Sequence, residues 1–91
     1  VRCRPEDAAR LMEFCRARPP ARLGRSPVET VKAVDGVKCI ARDGSWLMFP
    51  SSGTEPVLRV YAESTSDEAA EALVRQGTRL LRDAGGRIGN P

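Results

Sequence analysis

Histidine is absent from the sequence. That removes the commonest general base, every Ser/His/Asp or Cys/His catalytic arrangement and any Cys/His zinc set. Chemistry here has to rest on carboxylates, hydroxyls and arginine. Cysteine is scarce too: Cys3, Cys15 and Cys39 form no CxxC pair, which suits a reduced, cytoplasmic setting. Aromatic residues are few, with one Trp, one Tyr and two Phe. No aromatic and basic pattern marks a single-strand nucleic-acid platform, so nucleic acid is not an expected partner despite a pI near 9.1. Neither sign of charge dominates, because 15 Lys and Arg interleave with 12 Asp and Glu to leave a formal net charge of +3. The bias toward anionic ligands is mild. No apolar run approaches the roughly 18 to 20 residues that span a bilayer, and Glu6 and Asp7 interrupt the Arg-rich start. Neither a membrane span nor a signal peptide is expected.

What is present fits one small domain over residues 1–91. At this size folding hides only roughly 60 to 65% of the surface of the unfolded chain, enough for one modest core. The chain opens on Val1 rather than Met, which suits a piece cut from a longer protein. Ala8, Leu11, Met12 and Cys15 recur at helical spacing, predicting a helix from Pro5 to Ala17 that Pro19 and Pro20 stop. Residues 19–27 mix Pro, Gly and Arg without periodicity and read as a linker.

Residues 28–34, 37–42 and 45–49 are β-branched or aromatic runs punctuated by Asp35-Gly36 and Asp43-Gly44. Asp-Gly between such runs predicts type I′ hairpins and hence three antiparallel strands. A fourth strand follows over residues 58–63, where Leu58, Val60 and Ala62 alternate with Arg59, Tyr61 and Glu63. Thr65 and Glu68 have the spacing of a capping box. The apolar stripe Ala70, Leu73, Val74, Gly77, Leu80, Leu81 and Ala84 then predicts a second helix, closed by Gly85-Gly86 ahead of a frayed tail over residues 87–91. Helix, four strands, helix describes an α+β sandwich with both helices on one face of a four-stranded antiparallel sheet. Trp46 reads as a core or interface aromatic.

Between two apolar runs lies Ser51-Ser52-Gly53-Thr54-Glu55-Pro56. Such a cluster is commonly a polar hairpin loop. The same residues also suit an anion: the hydroxyls of Ser51, Ser52 and Thr54 can donate hydrogen bonds, and Gly53 lets successive N–H groups converge in a nest. This is no GxxxxGK[ST] loop, because no Lys follows and no helix starts there, so the charge complement must come from arginine. Arg59 stands five residues past Thr54. Its fork suits a phosphate, and equally a sheet-face pair with Glu63 or a contact over Tyr61. Glu55, followed by Pro56 and without a second carboxylate in the loop, fits loop ordering through backbone N–H groups rather than general base work.

The combination of DGVK at residues 35–38, DGSW at 43–46, SGTEP at 52–56 and RVYAE at 59–63 resembles the C-terminal domain of the alpha-D-phosphohexomutases, the family of phosphoglucomutase and phosphomannomutase. The resemblance implies a TATA-binding-protein-like α+β fold as the last of four domains. It further implies that Ser52, Gly53 and Thr54 bind the substrate phosphate distal from the reacting group, with Glu55 and Pro56 framing the loop. The partners would be a glucose or mannose 1- or 6-phosphate and the other domains of the same chain. The family's phosphoserine, magnesium and sugar-recognition loops belong to those other domains, so no catalytic or metal residue is expected here and the isolated domain should be inactive. Magnesium is expected only in the full-length enzyme. RVYAE is closer to the glucose and mannose mutases than to the glucosamine mutases. One departure stands out: where the family usually carries Arg two residues before SGTEP, this chain has Pro50. Loss of one charge-assisted contact would lower phosphate affinity by roughly one to two orders of magnitude unless Arg59 and the hydroxyls compensate. The alternative expectation is a non-catalytic packing or regulatory module.

Overall fold

The computed structural model describes residues 5–34, 36–50 and 59–88. Helix α1 runs Pro5–Ala17, the span that the apolar spacing predicts. Arg16 pairs with Glu13 on its solvent side, and Cys15 turns inward and is buried. Strands β1 (Arg22–Leu23), β2 (Ser26–Lys32), β3 (Gly36–Ala41), β4 (Trp46–Pro50) and β5 (Tyr61–Glu63) follow, and then helix α2 (Asp67–Ile88). The strands form one antiparallel meander in sequence order.

The sheet therefore has five strands rather than four, because residues 19–27 are not a plain linker. Gly24, with φ of 60°, and Arg25 make a two-residue turn that pairs Leu23 with Ser26. A glycine at positive φ in the first central position gives a turn whose twist matches the flanking strands. Gln76 of α2 holds this hairpin: its Oε1 accepts the Gly24 N–H at 3.0 Å and its Nε2 donates to the Arg22 carbonyl at 2.7 Å. Leu23 is thereby kept in the core.

Three local expectations are corrected. At Asp43-Gly44 only the glycine has positive φ, 91°, while the Gly44 N–H donates to Ala41 and the Ala41 N–H to Ser45. That is a three-residue loop ending in a glycine bulge, not a type I′ turn. Asp43 Oδ1 accepts the Ser45 N–H at 2.8 Å, which holds the Asp43 carboxyl below its ordinary value and spares Asp43 the left-handed conformation. The cap of α2 is Ser66, whose Oγ accepts the Ala69 N–H at 3.1 Å. The helix starts at Asp67, so Ser66 and not Thr65 holds the N-cap position. Finally, α2 passes through Gly85-Gly86 to Ile88, because neither glycine takes the positive φ that a left-handed cap requires. Of the expected frayed tail, residues 87 and 88 are thus helical and the rest lies outside the described residues.

Alternation decides the faces. Val37, Cys39 and Ala41 of β3 and Leu47 and Phe49 of β4 point inward, where they meet Cys15, Leu23, Leu73 and Leu81. Fully burying a side chain such as Phe49 or Leu47 contributes about 1.5 to 3 kcal/mol. Both helices feed this single cluster, so they cover one face, as expected for an α+β sandwich. Of the predicted stripe on α2, Leu73, Gly77 and Leu81 are buried and Val74 is exposed. A Cβ at Gly77 would stand 2.7 Å from Val60 Cγ1 and 2.9 Å from Leu47 Cδ1.

Gly77→Ala sets two effects against each other. Helix propensity favours Ala by about 1 kcal/mol, but overpacking a tight contact costs about 1 to 3 kcal/mol. A net loss of about 1 kcal/mol is expected in urea unfolding, and a variant more stable than wild type would refute the close approach. The core thiols give a second prediction. Burial pushes the Cys15 thiol up from 9.0 to about 11, with Cys39 nearby adding to the shift, and burial raises Cys39 as well. The neutral thiols are favoured in the folded state, so their stabilising effect is complete below about pH 9 and is lost as pH rises toward 11. Denaturation midpoints should fall across that window, and at pH 8 thiol reagents should label Cys15 and Cys39 only after urea is added.

Candidate functional site

Among the described residues no helix covers the second face of the sheet. Lys38, Ile40, Trp46, Met48 and Pro50 lie on it half-buried, with Tyr61 and Glu63 exposed beside them. Trp46 thus belongs to this open face and not to the core. Lys38 Nζ sits 4.5 Å from the centre of its ring, a cation–π contact that partly shields the indole.

Strand β4 leads along this face to its last residue, Pro50, which pairs with Gly36. Proline fits there because a strand end tolerates the missing N–H. Residues Ser51, Ser52, Gly53, Thr54, Glu55 and Pro56, the whole candidate loop, lie outside the described residues. The structure describes what frames them, namely Pro50 on one side and Arg59 on the other.

The expected fourth strand over residues 58–63 is shorter in the structure. Its ladder with β4 runs Trp46↔Glu63, Leu47↔Ala62 and Met48↔Tyr61 and goes no further. Arg59 and Val60 lie just before β5, beyond that ladder: Val60 packs on the inner cluster and approaches Gly77, while Arg59 is exposed.

Sequence reasoning picked out Arg59 by its nearness in the chain to residues 51–54, and the structure shows it exposed just ahead of β5. Elsewhere, the charged groups of the hairpin turn satisfy one another, as in the Arg42–Glu29 pair at 3.1 Å. Among the described residues no group of three or more His, Cys, Asp or Glu side chains could hold a metal ion. No helix among the described residues is long and apolar enough to cross a membrane.

Two helices on one face of a five-stranded antiparallel sheet define a small α+β domain. Comparison with known proteins then names the family. Residues 1–80 match "Phosphoglucomutase/phosphomannomutase, C-terminal domain", and the chain belongs to that family. It is 36% identical over 64 residues to a phosphoglucomutase/phosphomannomutase of Thermococcus kodakarensis, covering 70% of this chain and 14% of that protein. It is 39% identical over 51 residues to a probable phosphoglucosamine mutase of Pyrococcus abyssi, covering 56% of this chain and 11% of that one. A phosphopentomutase of Thermococcus kodakarensis is 30% identical over 63 residues, 65% of this chain and 14% of the relative. The chain thus spans a small fraction of each relative. Glucosamine and pentose mutases thus stand among the relatives beside the glucose and mannose type.

Proposed function

We propose that this domain binds the phosphate of a hexose phosphate for a phosphoglucomutase/phosphomannomutase that moves a phosphoryl group between the sugar's 1- and 6-positions. What supports the reading is the chain's membership of the family, together with an exposed Arg59 close in the chain to the hydroxyl-rich residues 51–54. Ser51, Ser52 and Thr54 donate hydroxyl hydrogen bonds, Gly53 lets backbone N–H groups converge, and Arg59 supplies the positive charge that Pro50 does not. Glu55 and Pro56 order the loop. Holding the non-reacting phosphate positions the sugar and supplies binding energy that the transfer step can use.

The domain contributes binding and no catalytic group. The phosphoryl chemistry, and the magnesium that the family resemblance implies, belong in this reading to the remainder of the polypeptide, which also forms the domain's structural partner. The free core thiols Cys15 and Cys39 support a reducing, cytoplasmic setting.

Titration of this chain with glucose 6-phosphate or inorganic phosphate should shift the amide signals of residues 51–54, and silence at high millimolar ligand would contradict the reading. Arg59→Met should weaken binding about tenfold, the loss of one charge-assisted contact. Pro50→Arg should strengthen it by about ten- to a hundredfold and raise turnover of the complete enzyme. Unchanged turnover would favour a packing or regulatory module.

A further inference from the structure

Strand β2 is flanked on both sides only at its start. Strand β1 pairs with Ser26 and Pro27, and the Val28 N–H donates to the Ala21 carbonyl at 2.9 Å. Beyond Val28 no strand among the described residues pairs with β2 on that side. From Glu29 to Lys32 the strand is held by β3 alone, and every residue is exposed. A strand directs its N–H and C=O groups to its two sides alternately, so this stretch presents backbone donors and acceptors along an open edge. Val31 lies opposite Cys39 and hence on the helix side, yet it is 37% exposed.

The charges on this edge are unbalanced within one chain. Lys32 is the direct cross-strand partner of Lys38, and like charges so placed destabilise a ladder. Among the described residues no carboxylate forms an ion pair with Lys32. Nearby, the register of β2 slips between Val28 and Thr30, which makes Glu29 the extra residue of a bulge. Its Oε2 accepts from Arg42, which follows inward Ala41 and so stands with Lys32 and Lys38 on the open face.

A second copy of the same edge answers both demands in one register. Two antiparallel copies of β2, related by a twofold axis through the sheet, keep each side chain on its own face only when one residue faces its own counterpart. Centring on Thr30 would enlist Val28, whose N–H is already given to Ala21. Centring on Lys32 would set that lysine against its own copy. Centring on Val31 avoids both. Val31 then packs on Val31 of the second copy, Thr30 stands opposite Lys32, and each Lys32 comes beside Glu29 of the other copy.

We propose that residues 29–32 form a homotypic interface through which two copies of this chain join their sheets antiparallel about Val31. The contact is short, so the dimer is weak, with a dissociation constant in the upper micromolar to millimolar range. A bulge and a lysine can also serve to blunt an edge against pairing, and that account requires a monomer at every concentration.

Sedimentation equilibrium of this chain should show a concentration-dependent dimer, and the amide signals of residues 29–33 should move with the same midpoint. Lys32→Glu brings two carboxylates together in each symmetry-related contact, and Glu29→Lys brings two ammonium groups together. Each variant alone should associate about tenfold more weakly, with far-ultraviolet circular dichroism unchanged because both positions are exposed. Mixed in equal amounts, the two variants complement each other in both contacts and should regain the association of the wild type. That recovery distinguishes a contact between chains from an effect within either one. A wild type that stays monomeric at millimolar concentration overturns the proposal, as does a dimer whose charge variants associate like wild type or do not recover on mixing.

Discussion

The depth at which α2 sits on the sheet is set by one missing atom. Gly77 brings the helix backbone down onto Leu47 and Val60, to distances that a Cβ would not tolerate. From that seat the neighbouring Gln76 reaches the first hairpin, and Leu73 and Leu81 reach the core. Val60 is held against the inner face by the same contact. With Val60 turned inward, alternation sends Arg59 outward, so the packing of a glycine on one side of the sheet places an arginine on the other.

The two faces differ in composition. The helix-covered face collects Cys39, Leu47, Phe49 and Leu81, all fully buried. The open face keeps half-buried apolar residues such as Ile40, Trp46 and Met48 beside Lys38, a mixture that makes little core. Pro50, the last residue of β4, pairs with Gly36 of β3 and stands two residues past the end of the ladder to β5.

Much of this was legible in the chain because it depends on short-range periodicity. The spacing of Met12 and Cys15 predicts α1, and the β-branched and aromatic runs punctuated by Asp-Gly predict β2, β3 and β4. The misreadings fall where several local solutions compete. Pro19, Pro20 and Pro27 disguised β1, which exists because Gln76, far along the chain, satisfies its turn. Thr65 and Ser66 are both good caps, and one residue of helix phase chose between them. Gly85-Gly86 could end a helix or be carried within one, and glycine's own preference does not decide that.

By itself the sequence determined the fold class, the central strands and the family resemblance carried by residues 35–63. Each of these follows from patterns within a few residues of one another. Tertiary structure alone decided that β1 pairs with β2, that Lys32 opposes Lys38, and that Gly77 lies close against Leu47 and Val60. These depend on register and on how deeply α2 sits on the sheet, which no local pattern encodes.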